Sequence, residues 1–287
     1  AHPEQAAMLN LDKAGARDPY VERLFEGFAF LMGRLREKLD DDLPELTEGL
    51  VSLLWPHYLR TIPSMSVVEF TPGWREMKEQ MRIVKGFEIN SRPIGEKGTR
   101  CRYTTTKEIT LQPLSLELAR LSTDPDGRSV ISLRFNCSHL ADWSRVDLSQ
   151  IPFYFNADAP LACAMHEAFT MNVARLWLRM PGDMDRKPLD GYFNALGFGD
   201  DDDLWPKGSS SFSGYQLLLE YFTFREKFMF TCLRGLDGVN FPAELPWFEI
   251  DVVLAERWEH DFNFTEKHLR LNCVPVINLF PLESDPL

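Results

Sequence analysis

Asp18-Pro-Tyr-Val-Glu-Arg-Leu-Phe-Glu-Gly-Phe-Ala-Phe-Leu-Met-Gly-Arg-Leu-Arg-Glu-Lys-Leu-Asp-Asp-Asp-Leu-Pro-Glu-Leu-Thr-Glu-Gly-Leu-Val-Ser-Leu-Leu-Trp-Pro56 is the stretch whose reading decides the fold. Asp18 before Pro19 is a helix start, because the aspartate oxygen can accept a free first-turn N–H and proline has none to lose there. At one turn per 3.6 residues, Val21, Leu24, Phe25, Phe28, Leu31, Met32, Leu35 and Leu39 fall within an arc of about 120°, while Glu22, Arg23, Glu26, Arg34, Glu37 and Lys38 lie off it. The run Asp40–Asp42 reads as the end of this helix and the cap of the next. Pro44 then opens a second helix with Leu43, Leu46, Leu50, Leu53 and Leu54 on one face, closed by Pro56. So short a turn predicts an antiparallel helical hairpin docked by its apolar faces onto a further layer. Three side chains break the pattern. Phe30 lies nearly opposite the stripe, and Val51 and Trp55 lie off the second helix's main face. They are covered either by other parts of the chain or by a partner protein.

Outward from this stretch the pattern changes. Ser64–Phe70 alternates as a strand, and Arg82–Ile89, Arg100–Thr105, Glu108–Leu121 (broken at Pro113), Ser129–Cys137 and Ile151–Phe155 read as further strands. Gly86, Gly95, Gly98 and the Asp124-Pro-Asp-Gly127 turn separate them. Asp158 and Pro160 start a helix in which Leu161, Met165, Ala168 and Phe169 share a face; Val173–Met180 fits its continuation or a strand. Gly214–Phe222 reads as helix, and Lys227–Leu233, Phe248–Ala255 and Leu269–Ile277 as strands. The expected class is α+β: an N-terminal helical hairpin on a β-rich, mostly antiparallel, sandwich-like body with a few further helices. The expected division is a helical region 1–62, a β-rich domain 63–157 and a mixed α/β domain 158–287.

The chain has 287 residues, 44% hydrophobic and 12% aromatic, enough for a large ring-rich core. With 31 Lys and Arg against 43 Asp and Glu, its net charge of −12 argues against nucleic acid or an anionic membrane as main partner. No window approaches the apolar length that spans a bilayer. Five single, widely spaced cysteines (Cys101, Cys137, Cys163, Cys232, Cys273) read as reduced, buried thiols of a cytoplasmic protein.

No stretch carries a catalytic or metal-binding constellation. His166-Glu167 starts like a zinc-protease helix, but Thr170 stands where the second histidine belongs, so His166 reads as a surface residue. Asp200–Asp203 lacks the alternation, glycine and distal glutamate of a calcium loop and reads as a solvated acidic loop. Gly95–Thr99 has the wrong order for a phosphate cradle and reads as a hairpin turn. Glu249 and Asp251 share one face of a strand near Trp247 and Trp258. This is the one feature favouring an alternative, a carbohydrate-active hydrolase, although two acids on a solvent face is the plainer reading. A small-molecule-binding β module is a further alternative on fold grounds. No cofactor is expected.

Several blocks resemble one family. They are Asp18–Leu31 with Leu39–Leu50, Pro56-His-Tyr-Leu59 with Ile62-Pro-Ser-Met65 and Phe70, and Gly98–Thr106 with Leu111-Gln-Pro-Leu114. They continue with Phe153–Leu161, Tyr215-Gln-Leu-Leu-Leu-Glu-Tyr-Phe222 with Arg225-Glu-Lys-Phe228, and Asn272–Pro281. In this order they resemble the TssF (VasA, ImpG) family of type VI secretion baseplates; Pro72–Gln80 and Pro181–Ser211 match loosely. The resemblance implies longer proteins, of which this chain would be an N-terminal fragment. It also implies a non-enzymatic structural subunit, similar to a wedge protein of phage-tail baseplates. Such a subunit would pair with TssG and a second TssF copy, with TssK, TssE and the VgrG spike alongside, in the cytoplasm beneath the inner-membrane complex. Phe30, Val51 and Trp55 are then the expected partner contacts.

Overall fold

A computed structural model describes residues 19–54, 59, 61–199, 201–205, 212–258 and 265–282. Contact density divides the chain into one unit of residues 1–61 with 208–211 and another of residues 62–207 with 212–287.

In the first unit the described residues form one helix, α1 (Pro19–Leu54), of 36 residues. The expected hairpin is therefore corrected: Asp40–Asp42 and Pro44 lie inside a continuous helix. The reason lies in the phase of the apolar pattern. When the turning is carried through the acidic run, Leu43, Leu46, Leu50 and Leu53 fall in the same arc as Val21–Leu39, so one uninterrupted stripe results. Pro44 removes a single backbone donor, the one that would meet the Asp40 carbonyl, and the helix runs on past it. The Thr47 hydroxyl back-bonds to the carbonyls of Leu43 (3.0 Å) and Pro44 (2.9 Å) in the following turn. Arg36 pairs with Asp40 one turn on, across the expected break (3.8 Å). No residue of α1 is buried.

The second unit begins with β1 (Met65–Glu69), β2 (Met81–Ile83), β3 (Glu88–Asn90), β4 (Arg102–Thr105), β5 (Ile109–Leu111), β6 (Leu114–Thr123), β7 (Ser129–Cys137) and β8 (Ile151–Phe155). Then follow α2 (Ala159–Thr170), β9 (Val173–Arg179), β10 (Lys187–Leu189), β11 (Tyr192–Ala195), α3 (Ser213–Thr223), β12 (Phe230–Arg234), β13 (Trp247–Leu254), β14 (Leu269–Arg270) and β15 (Cys273–Ile277). All pairings are antiparallel, in sheets ordered β10-β9-β13-β7-β6, β11-β12-β8-β14 and β1-β15-β4-β3, with a β2-β5 ribbon. The α+β class and antiparallel body hold. A boundary at 157 crosses paired strands, since β1 pairs β15, β7 pairs β13 and β8 pairs β12.

The main core lies between the five-stranded sheet, the β8–β12 sheet and α2. Phe135 stacks on Phe248 (centroids 4.7 Å apart) and tilts against Phe153 (6.1 Å); Phe169 of α2 meets Phe193 edge-on (4.9 Å). Such rings each remove a large apolar area from water and add pairwise ring energy. The β6–β7 turn falls where Asp124–Gly127 predicts it. The Gly127 N–H donates to the Asp124 carbonyl (2.8 Å) at a φ of +80°, a conformation glycine adopts without a steric penalty.

Candidate functional site

The stripe of α1 is a long, regularly patterned apolar surface. Phe25, Met32, Leu39, Leu46 and Leu53 recur every seven residues, and Val21, Phe28 and Leu35 fill the intermediate positions, with Asp42 and Gly49 completing that second series. Apolar residues at such spacing make the seam that a second helix covers by knobs-into-holes packing. Leu24, Leu31, Leu43 and Leu50 flank the seam and widen it beyond a two-helix interface. Phe28, Leu31, Leu35 and Leu46 are all exposed. An extended apolar surface of this kind marks a binding site.

The three singled-out residues stand elsewhere on the helix. Phe30 is 65% exposed, opposite the stripe, with the Arg34 guanidinium 6.0 Å from its ring centroid. Val51 is half-buried. Trp55 lies outside the described residues. The wider stripe, rather than these three, is what reasoning from two separate helices missed; its signal was the unbroken phase across Asp40–Pro44.

The sites of alternative chemistry are occupied by the chain itself. Asp251 is not on a solvent face: its side chain is 2% exposed, pairs with Arg186 (3.0 Å) and accepts a short hydrogen bond from the Ser132 hydroxyl. Glu249 pairs with Arg179 (2.8 Å). The guanidiniums of Arg134 and Arg179 lie 4.4 and 5.7 Å from the Trp247 ring centroid, where a sugar would have to stack. Each carboxylate is thus held by an arginine, an arrangement that supports the sheet and opposes acid catalysis.

His166 is likewise corrected. It is half-buried against the edge of Phe155 (6.1 Å), and its Nε2 is buried with no hydrogen-bond partner among the described residues. Burial therefore pushes its pKa below the ordinary value of 6.5. Asp202 departs from the solvated-loop expectation: it accepts from the N–H groups of Gly197 (3.0 Å) and Gly199 (3.2 Å) and pairs with Lys107 (3.5 Å). Among the cysteines, Cys137, Cys232 and Cys273 are buried as expected, but Cys163 is exposed and Cys101 half-buried. Burial pushes Cys137 and Cys273 up to about 12, so both remain thiols at neutral pH.

A cavity of about 620 Å³ opens between the β2-β5 ribbon and the β8–β12 sheet. Its cations are already engaged: Arg82 pairs with Glu108 (2.6 Å), and Lys107 with Asp202. Burial lowers the Lys107 pKa, and the adjacent Asp202 opposes that shift. No group of three or more His, Cys, Asp or Glu suited to a metal exists among the described residues.

The second unit holds a buried polar network instead. Glu220 of α3 accepts from the Leu204 N–H (3.1 Å) and the Gln216 amide (3.0 Å), and its other oxygen meets the Lys227 ammonium in a short bond. Gln216 also donates to the Trp205 carbonyl (2.9 Å). Glu220 and Lys227 are essentially inaccessible to solvent. Pattern reading missed these residues, because periodicity places apolar side chains inside.

A family model described as "Type VI secretion system, TssF" matches residues 1–287. The chain is 29% identical over 300 residues to the type VI secretion system component TssF1 of Pseudomonas aeruginosa, an alignment covering 99% of this chain and 48% of that protein. A chain in a cryo-electron microscopy structure of the TssK-TssF-TssG baseplate subcomplex is 57% identical, with a TM-score of 0.83 over 92% of this chain and 50% of that one. A chain in a structure of the type VI secretion baseplate complex is 55% identical, with a TM-score of 0.59 over 100% and 49%. The chain spans about half the length of these relatives.

Proposed function

This chain belongs to the TssF family of type VI secretion systems, and from that premise we propose that it acts as a structural wedge subunit of the baseplate. In this reading it assembles through TssG and a second copy of itself, with TssK, TssE and the VgrG spike as neighbouring subunits, and it carries no catalysis. The observation that carries the reading is α1: 36 residues with one continuous apolar stripe and not one buried side chain. A helix with so little burial among the described residues would draw its stability from helices of other chains. The width of the stripe suits a bundle of more than two helices, as a wedge of TssG and two TssF copies would supply. One solved relative lies in a TssK-TssF-TssG baseplate subcomplex and another in a type VI secretion baseplate complex, which supports the same assignment. So does the engagement of Glu249 and Asp251 by arginines. A cytoplasmic baseplate position beneath the inner-membrane complex is part of the same proposal; no helix among the described residues is long and apolar enough to cross a membrane.

The test is co-expression of the full-length protein with its TssG. Leu35→Glu with Leu39→Glu is expected to lower co-purification of TssG at least about tenfold, since burying two carboxylates in a helix seam costs several kcal/mol. The melting temperature of the β-rich unit is expected to stay unchanged. Undiminished co-purification contradicts the proposal. Phe30→Asp is expected to weaken assembly about tenfold or less with no loss of stability, whereas a loss of about 2 kcal/mol or more would show Phe30 to be core.

A further inference from the structure

Helix α3 is amphipathic in the inverted sense. Its inward face carries Gln216 and Glu220, the latter its only charged residue, while its outward face carries Tyr215, Leu218, Tyr221 and Phe222. Phe222 is 82% and Leu218 55% exposed. An isolated unit would ordinarily place those rings inside and the carboxylate in water, because each reversal costs free energy. The patch extends beyond the helix. Tyr221 lies 5.6 Å from the buried ring of Phe228, and the same ring lies 5.0 Å from Phe198, which is 54% exposed, so Phe228 joins the two exposed parts from beneath.

The charge around this patch selects what can cover it. Phe198 stands in the loop that also carries Asp201, Asp202 and Asp203, and Leu204 of the same loop bonds to Glu220 of α3. Asp202 is tied to Lys107, whereas Asp201 is exposed. Helix α3 carries no cation, the exposed Arg225 just past its end being the nearest in sequence, and the chain as a whole carries −12. A second copy would bring the same acids against these, while Lys and Arg stems lie well on aromatic faces and meet carboxylates at their tips. The chain already uses this geometry at Trp247, with Arg134 and Arg179.

We propose that the outward face of α3, together with Phe198, docks a cationic amphipathic segment of a different baseplate subunit. The assignment to a baseplate partner rests on the function proposed above; the choice of a cationic apolar segment rests on this face alone. The test titrates full-length protein separately with purified TssG and TssK, using wild type, Leu218→Glu with Phe222→Glu, and Asp201→Lys. Affinity for one of the two is expected to fall at least about tenfold in the double variant and less in Asp201→Lys. Wild-type binding should weaken as salt rises, since exposed charges are screened beyond about 10 Å at 0.1 M. Unchanged affinity for both partners in a correctly folded double variant overturns the proposal. So does wild-type self-association through this face that salt strengthens and Phe222→Glu abolishes. Loss of partner binding in the α1 stripe variant with full retention in the α3 variant overturns this inference alone. The reverse pattern overturns the stripe reading alone.

Discussion

Glu220 and Lys227 meet where neither charge reaches water, so each depends on the other. Removing one partner of a buried pair leaves an uncompensated charge and costs about 3–5 kcal/mol. Lys227→Ala is therefore expected to lower the melting temperature by roughly 6–20 °C, at about 2–4 °C per kcal/mol for a unit of this size. Glu220→Leu with Lys227→Met should recover much of that loss; a double variant no better than the single would contradict the pairing as the cause. His166 supplies a pH test. Burial holds its pKa below the ordinary 6.5, so on acidification the unfolded chain takes up the proton first. The stability contributed by the neutral imidazole is complete above the unfolded value and is lost as pH falls below it toward the folded one. Urea stability is expected to drop from about pH 7.5 to about 5.5 by more in wild type than in His166→Phe. Equal drops would remove His166 from the account. Neither feature was legible in the residues alone. The partners of Glu220 lie 4, 7 and 16 positions away, and only the family-like block Tyr215–Phe228 marked the segment as special. Asn272 is similar: it adopts a φ of +56°, and its carbonyl accepts from the Phe70 N–H (2.9 Å), a backbone role that no periodicity reveals.

At the scale of elements, the long strands are legible, whereas Arg82–Ile89 divides into β2 and β3 of different sheets, Lys187–Leu189 and Tyr192–Ala195 form strands in a loop-rich stretch, and the helix runs on where a break was expected. Ser129–Cys137 and Ile151–Phe155 form as expected, since alternation and turn residues are local signals. The break at Asp40–Pro44 was also a local inference, and the long-range phase of the stripe overrides it. One helix predicts a spacing that a hairpin cannot produce. Spin labels at the exposed positions Glu22 and Ser52 should lie about 45 Å apart along a continuous helix, at 1.5 Å per residue. A separation under about 20 Å would restore the hairpin, with its antiparallel halves about 10 Å apart. The inverted face of α3 was legible only in part. Its aromatic residues stand in the sequence, but which side they occupy depends on Glu220 turning inward toward Lys227 and the Leu204 N–H.

At the scale of the molecule, the β-rich unit closes its own core, while the stripe of α1 has no counterpart inside its own helix. The unit's sheets share strands from both halves of residues 62–282, so its stability should be insensitive to substitutions on α1. Composition argued only against nucleic acid and an anionic membrane as main partner; the family resemblance alone named the TssF family, and the family match shows it. The full length of the stripe is what a reading of two separate helices obscures, and Phe30, Val51 and Trp55 stand out only against that shorter pattern. The most direct measurement is the mass of the complex formed by full-length protein and TssG, for wild type and for Leu35→Glu with Leu39→Glu. The account predicts a wild-type mass larger than that of either protein alone, containing both the protein and TssG, and separate species in the variant with the β-rich unit still folded. A variant complex of unchanged mass would contradict it.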